Sequence, residues 1–418
     1  MCGLLFLSKS VLPVQFLRNF ASIRPQTRAE MDLSCFFQPV ETHARINYPL
    51  RPDCLGKRVD IYRNEFPNWQ EAQAVIIGCC EDRGALGEAG QADACEALRA
   101  QLYALNYAWP HIRIADLGNL IPKNDLEDVY FTLQYLTEQF LEQDKLVILL
   151  GGSQDLTLGL YPAFEKLERR IDYVCIDNMP DIFDAEVGLN HSSFNHRILT
   201  HSPNFLNCLT FIGLQNYLIS QEETTTLEAL GIGSVRVSDF REDLGQAECV
   251  LRTADLVSFD LSAMRSSEVP GAAHATAGGL TLEEACRLGR FAGMGYRLGA
   301  FHLAELVSTL DTNEQTASVG ALVVWHLLDG FARRPDDYPL ADRSNLVRYR
   351  VATAGPLDEI VFYKNEETRR WWMEVPYGKM TPNSRPAARL VPCSERDHHL
   401  AITDGIPDRW WRAQTQNP

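Results

Sequence analysis

The 418-residue chain has no run of about 18 uninterrupted apolar residues, so no membrane-spanning helix is expected. It has no C-x-x-C pair among its 11 cysteines, which removes the usual zinc-ribbon and thioredoxin spacings. Eleven cysteines are also too sparse for a disulfide scaffold, so buried free thiols in a reducing compartment are expected. It has no long Lys/Arg run: 39 Lys plus Arg face 55 Asp plus Glu, for a formal net charge of -16. Such a chain repels phosphate backbones, so no nucleic-acid partner is expected. No internal repeat or low-complexity tract occurs. No basic residue precedes the apolar run Gly3 to Leu7, so a secretory signal is not expected. Residues 1–30 read as a disordered extension or as a start assigned too far upstream of Met31. These absences leave a cytoplasmic globular protein with no membrane partner.

The rest of the composition is that of an ordinary folded domain, 45% hydrophobic and 22% charged. Five short runs are apolar at nearly every position: Ala74 to Gly78, Leu146 to Leu150, Tyr173 to Ile176, Leu209 to Gly213 and Leu256 to Phe259. That pattern suits strands buried on both faces, as in a parallel sheet. Helical patterns lie between them, at Ala92 to Leu105, Leu126 to Gln143, Leu156 to Leu167, Leu282 to Ala292 and Glu314 to Phe331. The alternation predicts a three-layer, doubly wound α/β domain over 31–333. Residues 334–418 read as a C-terminal appendage, rich in proline and without a clear long helix. Glu359 to Tyr363 and Arg370 to Val375 read there as a β-hairpin. The pairs Trp371-Trp372 and Trp410-Trp411 are expected to cover a face of the core, the sharper alternative being a surface for a ligand or partner.

In an open α/β sheet, ligands sit beyond the carboxyl ends of the strands. Gly151-Gly152-Ser153-Gln154-Asp155 follows one strand, Asp177-Asn178-Met179-Pro180-Asp181 the next, and Asp260-Leu261-Ser262 a later one. Converging carboxylates repel unless a cation or a proton lies between them, and oxygen ligands suit hard cations. In order and spacing these segments resemble the ureohydrolase family of arginase, agmatinase and formimidoylglutamase, which carries G-G-D-H, D-A-H-x-D and S-F-D-x-D after successive strands. Pro270-Gly271 with Gly278-Gly279-Leu280-Thr281-Leu282-Glu283-Glu284 resembles its P-G…G-G-L-T-x-x-E. Glu305 resembles its substrate-binding glutamate, and Gly84 to Arg99 its first loop and helix.

The resemblance implies an arginase-like fold and a hydrolase acting on C–N bonds of linear amidines, with a guanidino or formimino substrate and two Mn ions. It also admits a homo-oligomer. The departures fall unevenly across the metal ligands. One family site is matched by Gln154, Asp177, Asp181 and Asp260, with a carbonyl oxygen standing for an imidazole. The ligands exclusive to the other have become Met179 and Ser262, a poor set for Mn. The expectation is therefore one Mn(2+) or other hard divalent cation, or none. His191 and His196 are the best candidates for proton transfer and Glu305 for substrate binding; His274 and His302 are weaker ones. Asp155 reads as a helix N-cap. Two other readings stay open: a non-catalytic ureohydrolase-like binding protein with a degenerate active site, and a metal-free enzyme reusing the same pocket.

Overall fold

The computed structural model describes residues 32–41, 50–85, 90–91, 93–168, 170–182, 188–337, 343–353, 358–377, 387–403 and 405–415. The reading of residues 1–30 lies outside them. The chain divides into two compact units, Met1–Cys35 and Phe36–Pro418, and every strand among the described residues lies in the second.

A ten-stranded sheet forms its centre. In chain order its strands are β1 (Phe37–Gln38), β2 (Asp60–Ile61), β3 (Ala74–Gly78), β4 (Ile114–Leu120), β5 (Leu146–Leu150), β6 (Ile171–Ile176), β7 (Leu206–Ile212), β8 (Gly233–Val235), β9 (Leu256–Asp260) and β10 (Ala300–Ala304). They lie in the order β1-β4-β3-β5-β10-β9-β6-β7-β8, with β2 also on β4. Every pairing is parallel except that of β1 with β4. All five apolar runs are strands, and β3, β5, β9 and β10 are buried at every position, as sheet residues covered on both faces must be. The register sets Leu303 opposite Leu150, Ala304 opposite Asp260 and Ile176 opposite Phe259, so β5, β10, β9 and β6 end at one level.

The layers are helices, chiefly Ala94–Ala104, Leu126–Leu141, Leu282–Gly293 and Gln315–Ala332. The last two lie so close that a Cβ on Gly293 would meet the carbonyl oxygen of Leu327. The long helix expected at Leu156 to Leu167 is instead a single α-turn, Thr157–Leu160, followed by 3-10 geometry over Tyr161–Leu167. Pro162 offers no N–H to an α-helical ladder. Among the described residues no helix is long and apolar enough to cross a membrane, and all ten described cysteines are free.

The C-terminal part is a four-stranded antiparallel sheet, β11 (Leu346–Ala352), β12 (Glu359–Asn365), β13 (Trp371–Tyr377) and β14 (Ala387–Cys393), ordered as numbered. β12 and β13 are the expected hairpin. The sequence showed no clear long helix here; two short ones, of eight residues each, come after β14, Glu395–Ile402 and Asp408–Thr415. Trp371, Trp372 and Trp410 are buried, whereas Trp411 is 42% exposed. The first three pack as core residues, which leaves one tryptophan for any outer surface. Arg252, at the end of helix Leu244–Leu251, ties that helix to the C-terminal sheet: its Nη1 donates to the Trp371 carbonyl at 2.8 Å and its guanidinium lies 5.0 Å over the Trp372 ring.

Candidate active site at the strand ends

The turn after β5 runs through Gly151 and Gly152, with φ of 79° and 70°. Glycine is what this left-handed pair requires. It delivers Gln154, which is 1% exposed, over the sheet. The Gln154 amide is oriented by its neighbours. Its Nε2 donates to Ser258 Oγ on β9 at 2.7 Å and to Cys175 Sγ on β6 at 3.4 Å. Its Oε1 is buried with no hydrogen-bond partner. A buried amide oxygen left this way costs about 1–3 kcal/mol unless something fills the position.

Asp177 follows β6, and its Oδ1 accepts the Met179 N–H at 3.0 Å. Asp260 ends β9, and its Oδ1 accepts the Ser262 N–H at 2.5 Å. Asp181 has φ of 48°, a left-handed conformation that costs a non-glycine residue about 1–3 kcal/mol. The three acids act on one another. Burial, then Asp260, then Asp181 push the Asp177 carboxyl well above the usual carboxylate range. Burial and the Asp260 charge push Asp181 up to about 8, although its hydrogen bond with Asp177 works the other way. Ser262 Oγ is also buried without a partner. Among the described residues no three His, Cys, Asp or Glu side chains are arranged to hold a metal ion. The acids are thus a coupled set and not a formed metal shell.

Glu305 comes one residue after β10, 3% exposed, with φ of 66°. Its Oε1 accepts the Gln154 main-chain N–H at 2.7 Å and its Oε2 accepts Gln91 Nε2 at 2.9 Å. His191 Nδ1 lies 3.7 Å from Glu305 Oε1, and the His191 and His274 rings are 5.3 Å apart. Burial and then His274 lower the His191 pKa to about 4, so the ring is neutral at pH 7. His196 Nδ1 meets the Ile182 carbonyl at 3.1 Å, beside Asp181. His302 is wholly buried between Thr157 Oγ1 and the Gly151 carbonyl, at 2.9 and 3.1 Å, and holds the glycine turn in place.

One reading of the sequence changes. Asp155 caps no helix. Ser153 holds the N-cap position without a side-chain bond, and the Asp155 carboxyl accepts from Tyr130 Oη and lies against Gly84, where any Cβ would clash. Thr281 and Glu284, which carried part of the family resemblance, form a capping box for helix Leu282–Gly293. Gln91 and Tyr130 were not singled out, Cys175 read only as a buried thiol, and Ser258 entered only as the first residue of the segment that resembles S-F-D-x-D; only the folded chain brings them together as partners at the strand ends.

Comparison with known proteins agrees with this fold. A family model described as the arginase family matches residues 72–329. An agmatinase from Proteus mirabilis is 25% identical over 281 residues, covering 63% of this chain and 89% of that protein. The crystal structure of Trypanosoma cruzi formiminoglutamase with Mn superposes with a TM-score of 0.61 at 21% identity, covering 68% of this chain and 99% of that one. The agmatine ureohydrolase of Thermoplasma volcanium gives a TM-score of 0.55 at 20% identity, over 69% of this chain and 97% of that one.

Proposed function

The chain belongs to the arginase family, and on that premise we propose that it hydrolyses a C–N bond of a linear amidine, guanidino or formimino, in the cytoplasm and with at most one divalent cation. The observation that carries this is the Gln154 amide. Its nitrogen is committed to Ser258 and Cys175, so its buried oxygen is left for a ligand.

Two Mn ions do not fit these residues. A thioether at Met179 and a hydroxyl at Ser262 stand where the resemblance requires an imidazole and a carboxylate. One hard cation does fit the chemistry of the donors, because Gln154 Oε1, Asp177, Asp181 and Asp260 offer only oxygen. When bound, such an ion supplies Lewis acidity and lowers the pKa of a bound water. The chain supplies the rest. The Glu305 carboxylate, its two oxygens fixed by Gln91 and the Gln154 main chain, attracts the cationic end of the substrate by its charge. His191, neutral and beside Glu305, takes up a proton at a ring nitrogen, with His196 as the second candidate for that step.

Calorimetry of Mn binding to the wild-type chain and to Asp181→Ala tests the reading, followed by release of ammonia or urea from guanidino and formimino compounds. The expected result is one Mn per chain, lost in Asp181→Ala, with slow turnover of at least one compound. No Mn uptake at millimolar concentration, or Mn uptake indifferent to Asp181→Ala, sinks the one-cation hydrolase and leaves the metal-free enzyme and the binding protein.

A further inference from the structure

Asn178 stands among the strand-end acids and has no charge of its own to add to theirs. It is wholly buried. Its Nδ2 donates to the Ser262 carbonyl at 2.9 Å and to the His274 carbonyl at 3.0 Å. Both acceptors are carbonyls, so the nitrogen must face them, and a primary amide offers two N–H donors on one atom. Its main-chain carbonyl accepts the Gln215 N–H at 3.1 Å. One residue thus meets the segments after β7 and β9 and the loop 271–279. The pattern that this segment resembles, D-A-H-x-D, has alanine at the place of Asn178, and alanine has no side-chain donor.

The turns after β6 and β9 are built alike. Asp177 Oδ1 accepts the N–H of Met179, two residues on, at 3.0 Å. Asp260 Oδ1 accepts the N–H of Ser262, two residues on, at 2.5 Å. Each turn holds its own carboxylate. Beyond the last register pair of the two strands, Ile176 with Phe259, the bond from Asn178 Nδ2 to the Ser262 carbonyl joins one turn to the other. The second bond of the same nitrogen reaches the loop 271–279. That loop is anchored at its ends, by Val307 N–H on the Gly271 carbonyl at 2.8 Å and Leu280 N–H on the Ala263 carbonyl at 2.9 Å. Between them Thr276 Oγ1 donates to Gln215 Oε1 at 2.9 Å, and Asn178 holds the His274 main chain. From there the His274 ring lies 5.3 Å from that of His191, the neighbour of Glu305.

We propose that Asn178 is a positioning residue of this site: its amide sets the spacing of the Asp177 and Asp260 carboxylates and pins the loop 271–279 to their turns, doing with two hydrogen bonds what a second cation between those turns would otherwise do. The inference deepens the one-cation reading and rests on it for the role of the acids. Asn178 Oδ1 is itself buried without a partner, so the test must separate the donors from that oxygen.

Calorimetry of Mn binding compares the wild type with Asn178→Ala, Asn178→Asp and Thr276→Val. Asn178→Asp keeps the side-chain oxygen and loses both donors. Thr276→Val loosens the same loop without touching either aspartate turn. Mn binding weakens about tenfold or more in both Asn178 variants and stays within about twofold of the wild type in Thr276→Val. Unchanged affinity in Asn178→Ala, an equal loss in Thr276→Val, or binding tighter than wild type in Asn178→Asp overturns the proposal. A wild type that takes up no Mn sinks the one-cation reading and leaves the positioning role to hydrogen exchange in chelator. Exchange over 261–264 and 272–277 then speeds about tenfold or more in Asn178→Ala, with helix Gln315–Ala332 unchanged. Unchanged exchange in those two segments overturns the proposal. If Asn178→Ala fails to fold, Asn178→Ser takes its place in both measurements.

Discussion

Two buried polar clusters on the central sheet solve the same problem in opposite ways. On β4, Asp116 is wholly buried and fully served. Arg99 reaches it with Nε at 2.8 Å and Nη2 at 2.9 Å, Tyr103 Oη at 2.7 Å and the Gly118 N–H at 3.0 Å. At the ends of β6 and β9, Asp177, Asp181 and Asp260 are set beside one another, with Gln154 Oε1 and Ser262 Oγ unpartnered nearby. The first cluster carries its counter-charge within the chain. The second is complete only when something positive is added, a proton or a cation. A fold that can bury a satisfied carboxylate on β4 has no structural need for an acidic trio at its strand ends in which Asp177 and Asp181 are held above the usual carboxylate range, which is the physical ground for treating the second cluster as functional.

The largest effect is expected from breaking the satisfied cluster. Arg99→Met leaves Asp116 charged and buried beside Tyr103, and urea denaturation should show a loss of about 3–5 kcal/mol. A loss below about 1 kcal/mol would mean that Asp116 is served well enough without Arg99, and the contrast between the clusters would dissolve.

Next comes the pH response of the chelated protein. The Asp181 pKa is raised in the fold, from an ordinary 3.8 to about 8, so its folded form holds a proton that its unfolded form has released. Stability must then fall as pH rises between those values. From pH 6.5 to 8, above the ordinary histidine range, the melting temperature should drop by several degrees. Asp181→Asn should flatten that limb and raise the melting temperature at pH 8. A wild-type chain that is equally stable at both pH values would show that the three carboxylates do not share a field. Mn should restore at pH 8 what chelation removes.

How much of this could be read from sequence depends on where each signal lies. Strands β3, β5, β6, β7 and β9 were legible because a central run in each is buried on both faces and apolar at nearly every position. β4 was not, because Asp116, Gly118 and Asn119 interrupt it, and their compensation by Arg99 exists only after folding. The two C-terminal helices are too short to impose a periodicity on a polar segment. In the site, Gln154, Asp177, Asp181 and Asp260 could be read because each stands at the end of a legible strand, and Glu305 because of the family resemblance. Their partners could not. Gln91 and Glu305 are 214 residues apart and Gln154 and Ser258 are 104 apart, and no local pattern joins them.

A smaller effect tests the Gln154 oxygen itself. Gln154→Leu keeps the volume but removes the carbonyl and the donor to Ser258. Mn affinity should fall about tenfold or more, as when a group that orients a metal ligand is lost, while the stability of the chelated protein should change little, because the lost bond to Ser258 and the removed orphan oxygen offset each other. Gln154→His should tighten Mn and Zn instead, since imidazole suits both. Unchanged affinity in both variants would remove Gln154 from the cation's shell and leave its orphan oxygen to the substrate.

The smallest effect belongs to His191, which stands between the two kinds of cluster: buried like Asp116, yet uncharged. Its pKa is lowered from 6.5 to about 4, by burial first and His274 second. The neutral ring is therefore the folded form, and the unfolded chain binds the extra proton on acidification. Its contribution is fully present above pH 6.5 and is lost as pH falls toward 4, the reverse of the Asp181 limb. At pH 6 the loss amounts to under about 1 kcal/mol by the same linkage. His191→Gln, which keeps a polar group beside Glu305, should reduce this acid limb and leave the alkaline limb as steep as before. His302 is lowered to about 4 by burial as well, so part of the acid limb survives the substitution. A variant with an unchanged acid limb would place a charged, solvated imidazole at position 191. Its nearest carboxylate would then be holding a cation already, and Glu305 would have less charge to offer a substrate.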